Sequence, residues 1–170
     1  MKVFLIGFMG AGKTTIGKKL ARLLNYTFID LDKVIEDEYK ITINSIFERY
    51  DEKAFRKMER KMLFSTLKNK DVVISVGGGT PCFFDNMDII NKNGLSIYLR
   101  LHPKSAYTRL INSKKTRPLV NELEEEELLQ YITNKLKERE RFYLKAKMVV
   151  KGESLNEKQL AKWILRSPIL

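Results

Sequence analysis

The residues that can do chemistry begin at the amino-terminal end of the chain. Gly7-Phe8-Met9-Gly10-Ala11-Gly12-Lys13-Thr14 fits the pattern G-x-x-x-x-G-K-[ST], a phosphate-binding loop. Its glycines let successive backbone N–H groups turn toward phosphate oxygens. The positive end of the helix that follows faces the same anion. Lys13 is expected to reach the β- and γ-phosphates, and the Thr14 hydroxyl to ligate Mg²⁺. Gly10, Ala11, Gly12 and Thr15 complete the expected nucleotide cradle. The bare pattern can arise by chance in a glycine-rich turn. Here the apolar run Lys2–Ile6 precedes it, and Ile16, Leu20, Leu23 and Leu24 follow at helical spacing.

Further candidates follow along the chain. Asp30-Leu31-Asp32 ends an apolar run and can project two carboxylates into one cleft. One could hold Mg²⁺ through water and the other orient a substrate hydroxyl; equally, Asp32 could simply cap a helix. Arg56 and Glu59 are i, i+3 neighbours. They read either as a surface ion pair of little consequence or as an arginine steadied for an anionic substrate. Gly77-Gly78-Gly79 permits close approach of a ligand to backbone, or else is a flexible turn. The strand before it lacks the carboxylate usual in phosphate-loop proteins, which shifts the metal's acidic partner toward Asp30. Arg117 sits before Pro118 in a polar, basic stretch. Arg139 and Tyr143 are i, i+4 on a long helical pattern. His102, the sole histidine, reads as structural or superficial.

The elements that must position these groups alternate throughout. Strands are expected at Lys2–Ile6, 26–29, 71–76, 95–99 and 148–150. Helices are expected after the phosphate loop, after Asp32, from a Thr42 cap, over 52–68 and 84–93, from Pro103, from the Glu124–Glu127 block to about Lys145, and over 156–165. Such alternation predicts an α/β fold, a parallel sheet covered on both faces. The phosphate loop, Asp30-Leu31-Asp32 and the triple glycine all follow strands, so they should meet at one rim of the sheet. The 112–121 stretch reads as a mobile loop able to close over them.

Composition narrows the class. At 170 residues the chain suits one domain with a sizeable core. No apolar run approaches bilayer length, and the sequence enters its first strand with no secretory signal, so a cytoplasmic protein is expected. One cysteine, Cys82, excludes an internal disulfide. The formal net charge of +11 is spread over scattered lysines, with no dense basic tract or aromatic-basic RNA motif. Such a charge can mean nucleic acid but also suits a site for anionic small molecules, and most of the lysines read as solvated surface. With no long exposed apolar seam, a monomer is expected.

Taken together, these motifs resemble the shikimate kinases of the small P-loop kinase superfamily. The resemblance covers essentially the whole chain. It rests on Gly7–Thr14, Asp30-Leu31-Asp32, Phe55-Arg56-Lys57-Met58-Glu59, Gly77-Gly78-Gly79, Arg117-Pro118-Leu119, and Arg139 with Tyr143. It implies a five-stranded parallel sheet of order 2-3-1-4-5. It also implies a single domain over 1–170, substrate-binding helices over about 32–64 and a mobile lid over about 112–124. ATP with Mg²⁺ would donate phosphate to the 3-hydroxyl of shikimate, in chorismate and aromatic amino-acid biosynthesis. By this likeness Asp32 holds the reacting hydroxyl, and Arg56 and Arg139 receive the carboxylate. Gly78 and Gly79 meet the ring hydroxyls, and Phe47 and Phe55 lie near the ring. Arg117 swings in with the lid to the phosphates, and Thr14 with Asp30, through water, serves the metal. Arg109 and the 152–156 turn are candidates for the adenine side.

Two other readings compete. A sister kinase acting on gluconate or a nucleoside monophosphate could use Arg56 and Arg139 for a phosphate instead. A nucleotide switch or nucleic-acid binder is disfavoured because the guanine-reading pattern N-K-x-D is missing; Asn91-Lys92-Asn93-Gly94 does not complete it.

Overall fold

A computed structural model describes residues 1–113 and 123–166. Five strands form one sheet: β1 (Lys2–Ile6), β2 (Thr27–Asp30), β3 (Val72–Ser75), β4 (Leu95–Arg100) and β5 (Met148–Lys151). Their order is β2-β3-β1-β4-β5, and every pairing is parallel. This is the order that the family resemblance implied. β1 lies at the centre, and its Val3, Phe4, Leu5 and Ile6 are fully buried. A strand covered on both faces has no solvent side, so its apolar residues run consecutively instead of alternating.

Eight α-helices among the described residues connect the strands: α1 (Lys13–Leu24), α2 (Leu31–Tyr39), α3 (Ile43–Arg49), α4 (Glu52–Thr66), α5 (Asn86–Asn93), α6 (Pro103–Ile111), α7 (Glu125–Tyr143) and α8 (Glu157–Arg166). α1 packs on β3 and α8, α2 on α4, and α6 on α7. The α1 contact depends on Gly17. A Cβ there would stand 2.4 Å from the Phe28 ring and 3.2 Å from Leu5 Cδ1.

Caps mark the helix starts. The Thr42 hydroxyl accepts from Ser45 N at the head of α3, and the Asp51 carboxylate from Ala54 N at the head of α4. Glu124 and Glu127 form a capping box at α7. His102 caps α6, its Nδ1 accepting from Lys104 N at 3.3 Å.

Several boundaries differ from the sequence expectation by one or two residues, and three of these differences are informative. β2 runs one residue later, so Asp30 closes the strand and caps α2. Tyr26 instead gives its N–H to Ala21 O at the end of α1. α5 starts at Asn86, not Phe84, because a 3₁₀ turn (Thr80–Cys82) follows the glycines. Phe84 then adopts a left-handed φ of 53°, which no helix interior accepts. α7 stops at Tyr143, two residues short of Lys145. The expected lid falls mostly in 114–122, so Arg117, Pro118 and Leu119 lie outside the described residues.

The register brings the site to one rim. Leu5 on β1 and Asp30 on β2 both pair with Ser75 on β3. The phosphate loop, the Asp30-Leu31-Asp32 segment and the triple glycine therefore leave the sheet at the same level.

Candidate active site

The phosphate loop joins β1 to α1. Gly7, Gly10 and Gly12 have φ of 145°, 79° and 87°, a region L-side chains rarely enter. Gly7 also lies where a Cβ would stand 2.8 Å from Leu99 O. Lys13 Nζ donates to Gly7 O at 2.9 Å and to Phe8 O at 3.0 Å, so the ammonium lies across the loop. Thr14 Oγ1 donates to Asp30 Oδ2 at 2.8 Å. Asp30 Oδ1 accepts from Asp32 N at 3.2 Å. Asp30, not Asp32, is thus the cap of α2, and Asp32 stands in its first turn.

Arg56 and Glu59 are not a surface pair. Arg56 is 7% exposed and Glu59 1%. Arg56 Nη1 donates to Glu59 Oε2 at 2.8 Å, and Nη2 to Glu52 Oε1 at 3.0 Å. The guanidinium carbon lies 4.9 Å from the Phe55 ring centroid and 4.3 Å from that of Phe83. Phe47 and Phe55 pack with centroids 4.5 Å apart, and Phe47 remains half exposed. Arg139 on α7 lies 5.8 Å from the Phe8 ring centroid.

The triple glycine is the meeting point of these groups. A Cβ on Gly77 would stand 2.6 Å from Glu59 Oε1 and 3.2 Å from Asp32 Oδ1. One on Gly78 would stand 3.5 Å from both Gly7 O and Met9 N, and 3.6 Å from Arg139 Nη1. One on Gly79 would stand 2.5 Å from Arg56 Nη2. Lys13 bonds the same Gly7 carbonyl. Asp32, Arg56 and Arg139 therefore converge on three residues without side chains, with Lys13 tied to the adjoining Gly7 carbonyl.

Sequence reasoning missed several members of this wall. Tyr143 Oη donates to Gly78 O at 2.5 Å, fixing the middle glycine to α7. Burial pushes the tyrosine's ionisation well above its ordinary range. Thr80 Oγ1 donates to Glu59 Oε1 at 2.5 Å. Burial likewise raises the Cys82 thiol to about 11, against the opposing fields of Arg139 and Arg56. The i, i+4 spacing of Arg139 and Tyr143 was the one available signal for the Tyr143 contact.

A cleft of about 380 Å³ lies on the other side of the phosphate loop, between Gly10, Thr15, Arg109 and Leu155. Arg109 donates to Gly152 O at 3.0 Å and to Ala11 O at 3.4 Å. This joins the two sequence candidates for the adenine side. A larger open hollow of about 690 Å³, lined by Lys57, Arg60 and Phe84, contains none of the expected site residues.

No group of three or more metal-ligating His, Cys, Asp or Glu occurs among the described residues. The Thr14–Asp30 pair nevertheless fits Mg²⁺. Its donors are hard oxygens, and the hydroxyl hydrogen is spent on Asp30, which leaves a lone pair for a cation.

A parallel sheet in this order, with a phosphate loop at β1, a capping carboxylate at β2 and a buried arginine against the glycines that follow β3, defines a small P-loop kinase. The shikimate kinase family model matches residues 9–167. A shikimate kinase of Phocaeicola vulgatus is 45% identical over 158 residues, covering 93% of this chain and 90% of that protein. The crystal structure of shikimate kinase from Bacteroides thetaiotaomicron superposes with TM-score 0.93 at 38% identity, covering 98% and 99% of the two chains. That of shikimate kinase from Acinetobacter baumannii, in complex with shikimate, gives 0.83 at 32%, covering 97% and 90%. The chain belongs to the shikimate kinase family.

Proposed function

We propose that this chain transfers the γ-phosphate of ATP to the 3-hydroxyl of shikimate, giving shikimate 3-phosphate and ADP, in aromatic amino-acid biosynthesis. The observation that carries the reading is the convergence on Gly77–Gly79 of the phosphate loop, Asp32, Arg56 and Arg139. Those arginines match a carboxylate in charge and in the planar geometry of the fork. The bare glycine backbone and Asp32 match a polyol ring, which has hydroxyls but no charge of its own.

The reaction places the 3-oxygen in line with the terminal phosphorus. The new P–O bond forms as the bond to the β,γ-bridging oxygen breaks, and ADP leaves with that electron pair. Asp32 orients the hydroxyl and takes its proton. Gly10, Ala11, Gly12 and Thr15 present backbone N–H groups to the phosphates, and Lys13 follows the transferring group with its positive charge. Gly78 and Gly79 meet the ring hydroxyls; Arg56 and Arg139 hold the carboxylate and so fix the ring. Bound Mg²⁺, held by Thr14 and by Asp30 through water, would neutralise phosphate charge. Arg117 is proposed to approach the same phosphates from a lid over 112–124. We place the adenine in the Arg109 cleft and read the protein as a monomeric, cytoplasmic, single-domain enzyme without nucleic-acid or membrane partners. Phosphoryl transfer depends mainly on alignment and charge neutralisation, which accords with so few reactive side chains.

The test is ADP release from ATP and Mg²⁺ on addition of shikimate, run beside gluconate and nucleoside monophosphates. Stimulation by shikimate alone is expected. Preference for another acceptor, or none, refutes the assignment.

A further inference from the structure

Arg56 is held by more than the helix that carries it. Thr80 is fully buried, and its hydroxyl occupies Glu59 Oε1 at 2.5 Å while Arg56 Nη1 occupies Glu59 Oε2 at 2.8 Å. Thr80 is fixed in turn, because Asn86 Nδ2 donates to its carbonyl at 2.9 Å. Three residues on, the Phe83 ring centroid lies 4.3 Å from the Arg56 guanidinium carbon, closer than that of Phe55 on α4. A turn distant in sequence thus reaches the arginine by two separate routes, one polar and one aromatic.

We propose that the turn Thr80–Phe83 positions Arg56 for the acceptor's carboxylate, Thr80 acting through Glu59 and Phe83 through its ring. The inference rests on the acceptor assignment made above. A carboxylate can take both prongs of a guanidinium fork. With one oxygen committed to Thr80, Glu59 engages Nη1 alone. The Nη2 and Nε edge is then left to Glu52, whose side chain is 58% exposed. An exposed pair is weak, so a substrate carboxylate can replace Glu52 there, while the buried Glu59 contact stays as a fixed hinge. Phe83 packs its ring against the guanidinium and limits its movement on that side.

Thr80→Val keeps the shape and removes the donor; Thr80→Ser keeps the donor. The readouts are shikimate KM, ATP KM, and shikimate affinity by titration calorimetry, in the native and Arg56→Lys backgrounds. Thr80→Val is expected to weaken shikimate about tenfold with ATP KM unchanged, Thr80→Ser to recover most of it, and the Thr80→Val effect to vanish once Arg56 is lysine. Equal losses for both substrates, no loss, no recovery with Ser, or the same penalty in the lysine background would each overturn the proposal. Should Thr80→Val fail to fold, Phe83→Leu takes its place: a selective loss for shikimate that vanishes in the lysine background supports the proposal, and equal losses or none overturn it. If the unaltered enzyme ignores shikimate, the acceptor assignment fails first and this inference goes with it. If it uses shikimate and the variants match it, only the inference fails.

Discussion

Gly79→Ala displaces Arg56 without substituting it, at a position whose backbone is itself proposed to meet the acceptor. Gly79 has φ of −88°, so alanine meets no backbone strain there. Its Cβ would lie 2.5 Å from Arg56 Nη2 and 2.8 Å from both Cζ and Nη1. Ordinary contact needs about 3.5 Å, so the guanidinium must retreat by ~1 Å. Such a shift strains the Arg56–Glu59 bond of 2.8 Å. The rings of Phe55 and Phe83 flank the guanidinium at 4.9 and 4.3 Å. Hydrogen bonds to charged groups contribute about 1.5–3 kcal/mol, and tenfold in affinity corresponds to about 1.4 kcal/mol. Shikimate KM should therefore rise between about ten- and a hundredfold. The carboxylate is remote from the reacting oxygen, so kcat should fall much less, and ATP KM not at all. The assay is coupled ADP release with each substrate varied in turn, on protein checked for native melting. A shikimate KM within twofold of the unaltered enzyme would show that Arg56 does not meet the acceptor.

Other outcomes follow from the same geometry. Lys13→Ala and Asp32→Asn should each lower turnover by about 10²-fold or more, from lost charge stabilisation and lost base respectively, with the melting transition retained; near-normal rates in either variant remove that residue from the reaction. Gly17→Ala drives a Cβ to 2.4 Å from the Phe28 ring, and such overpacking costs about 1–3 kcal/mol, or several degrees in Tm; an unchanged Tm by calorimetry would contradict it. Cys82 titrates at about 11 because burial disfavours its thiolate. Its stabilising contribution is therefore complete below the ordinary thiol range and is lost as pH rises toward 11. Alkylation followed by mass spectrometry should be slow at about pH 8 and still accelerating at about pH 10, whereas a plateau by about pH 9 would refute the shift.

The framework was legible because buried parallel strands announce themselves. Val3–Ile6 and Val72–Ser75 are unbroken runs of buried, almost wholly apolar residues, and the phosphate loop after the first fixes where ligands gather. The sequence named several residues that the fold brings together at the glycines, but not the joints between them. The i, i+3 spacing of Arg56 and Glu59 says nothing about burial, which comes from Thr80 and Phe83 packing over α4. The choice between Asp30 and Asp32 as cap turned on a single residue at the end of β2, finer than apolar patterning resolves. The bond from Thr80 to Glu59 spans 21 residues, and the Arg109 contact with Gly152 spans 43. Neither leaves a periodic trace, because such pairs are set by how elements stack.

Asp30 has a consequence for how the two substrates stay in step. One of its oxygens takes a hydrogen from Thr14 at the head of α1, and the other takes one from the amide of Asp32, the residue proposed to address the alcohol. On the proposed function, a lone carboxyl group would thereby act as a spacer gauge between donor and recipient. Shortening or tilting it would shift both halves of the transfer together, and no adjustment on one side alone could bring them back into line.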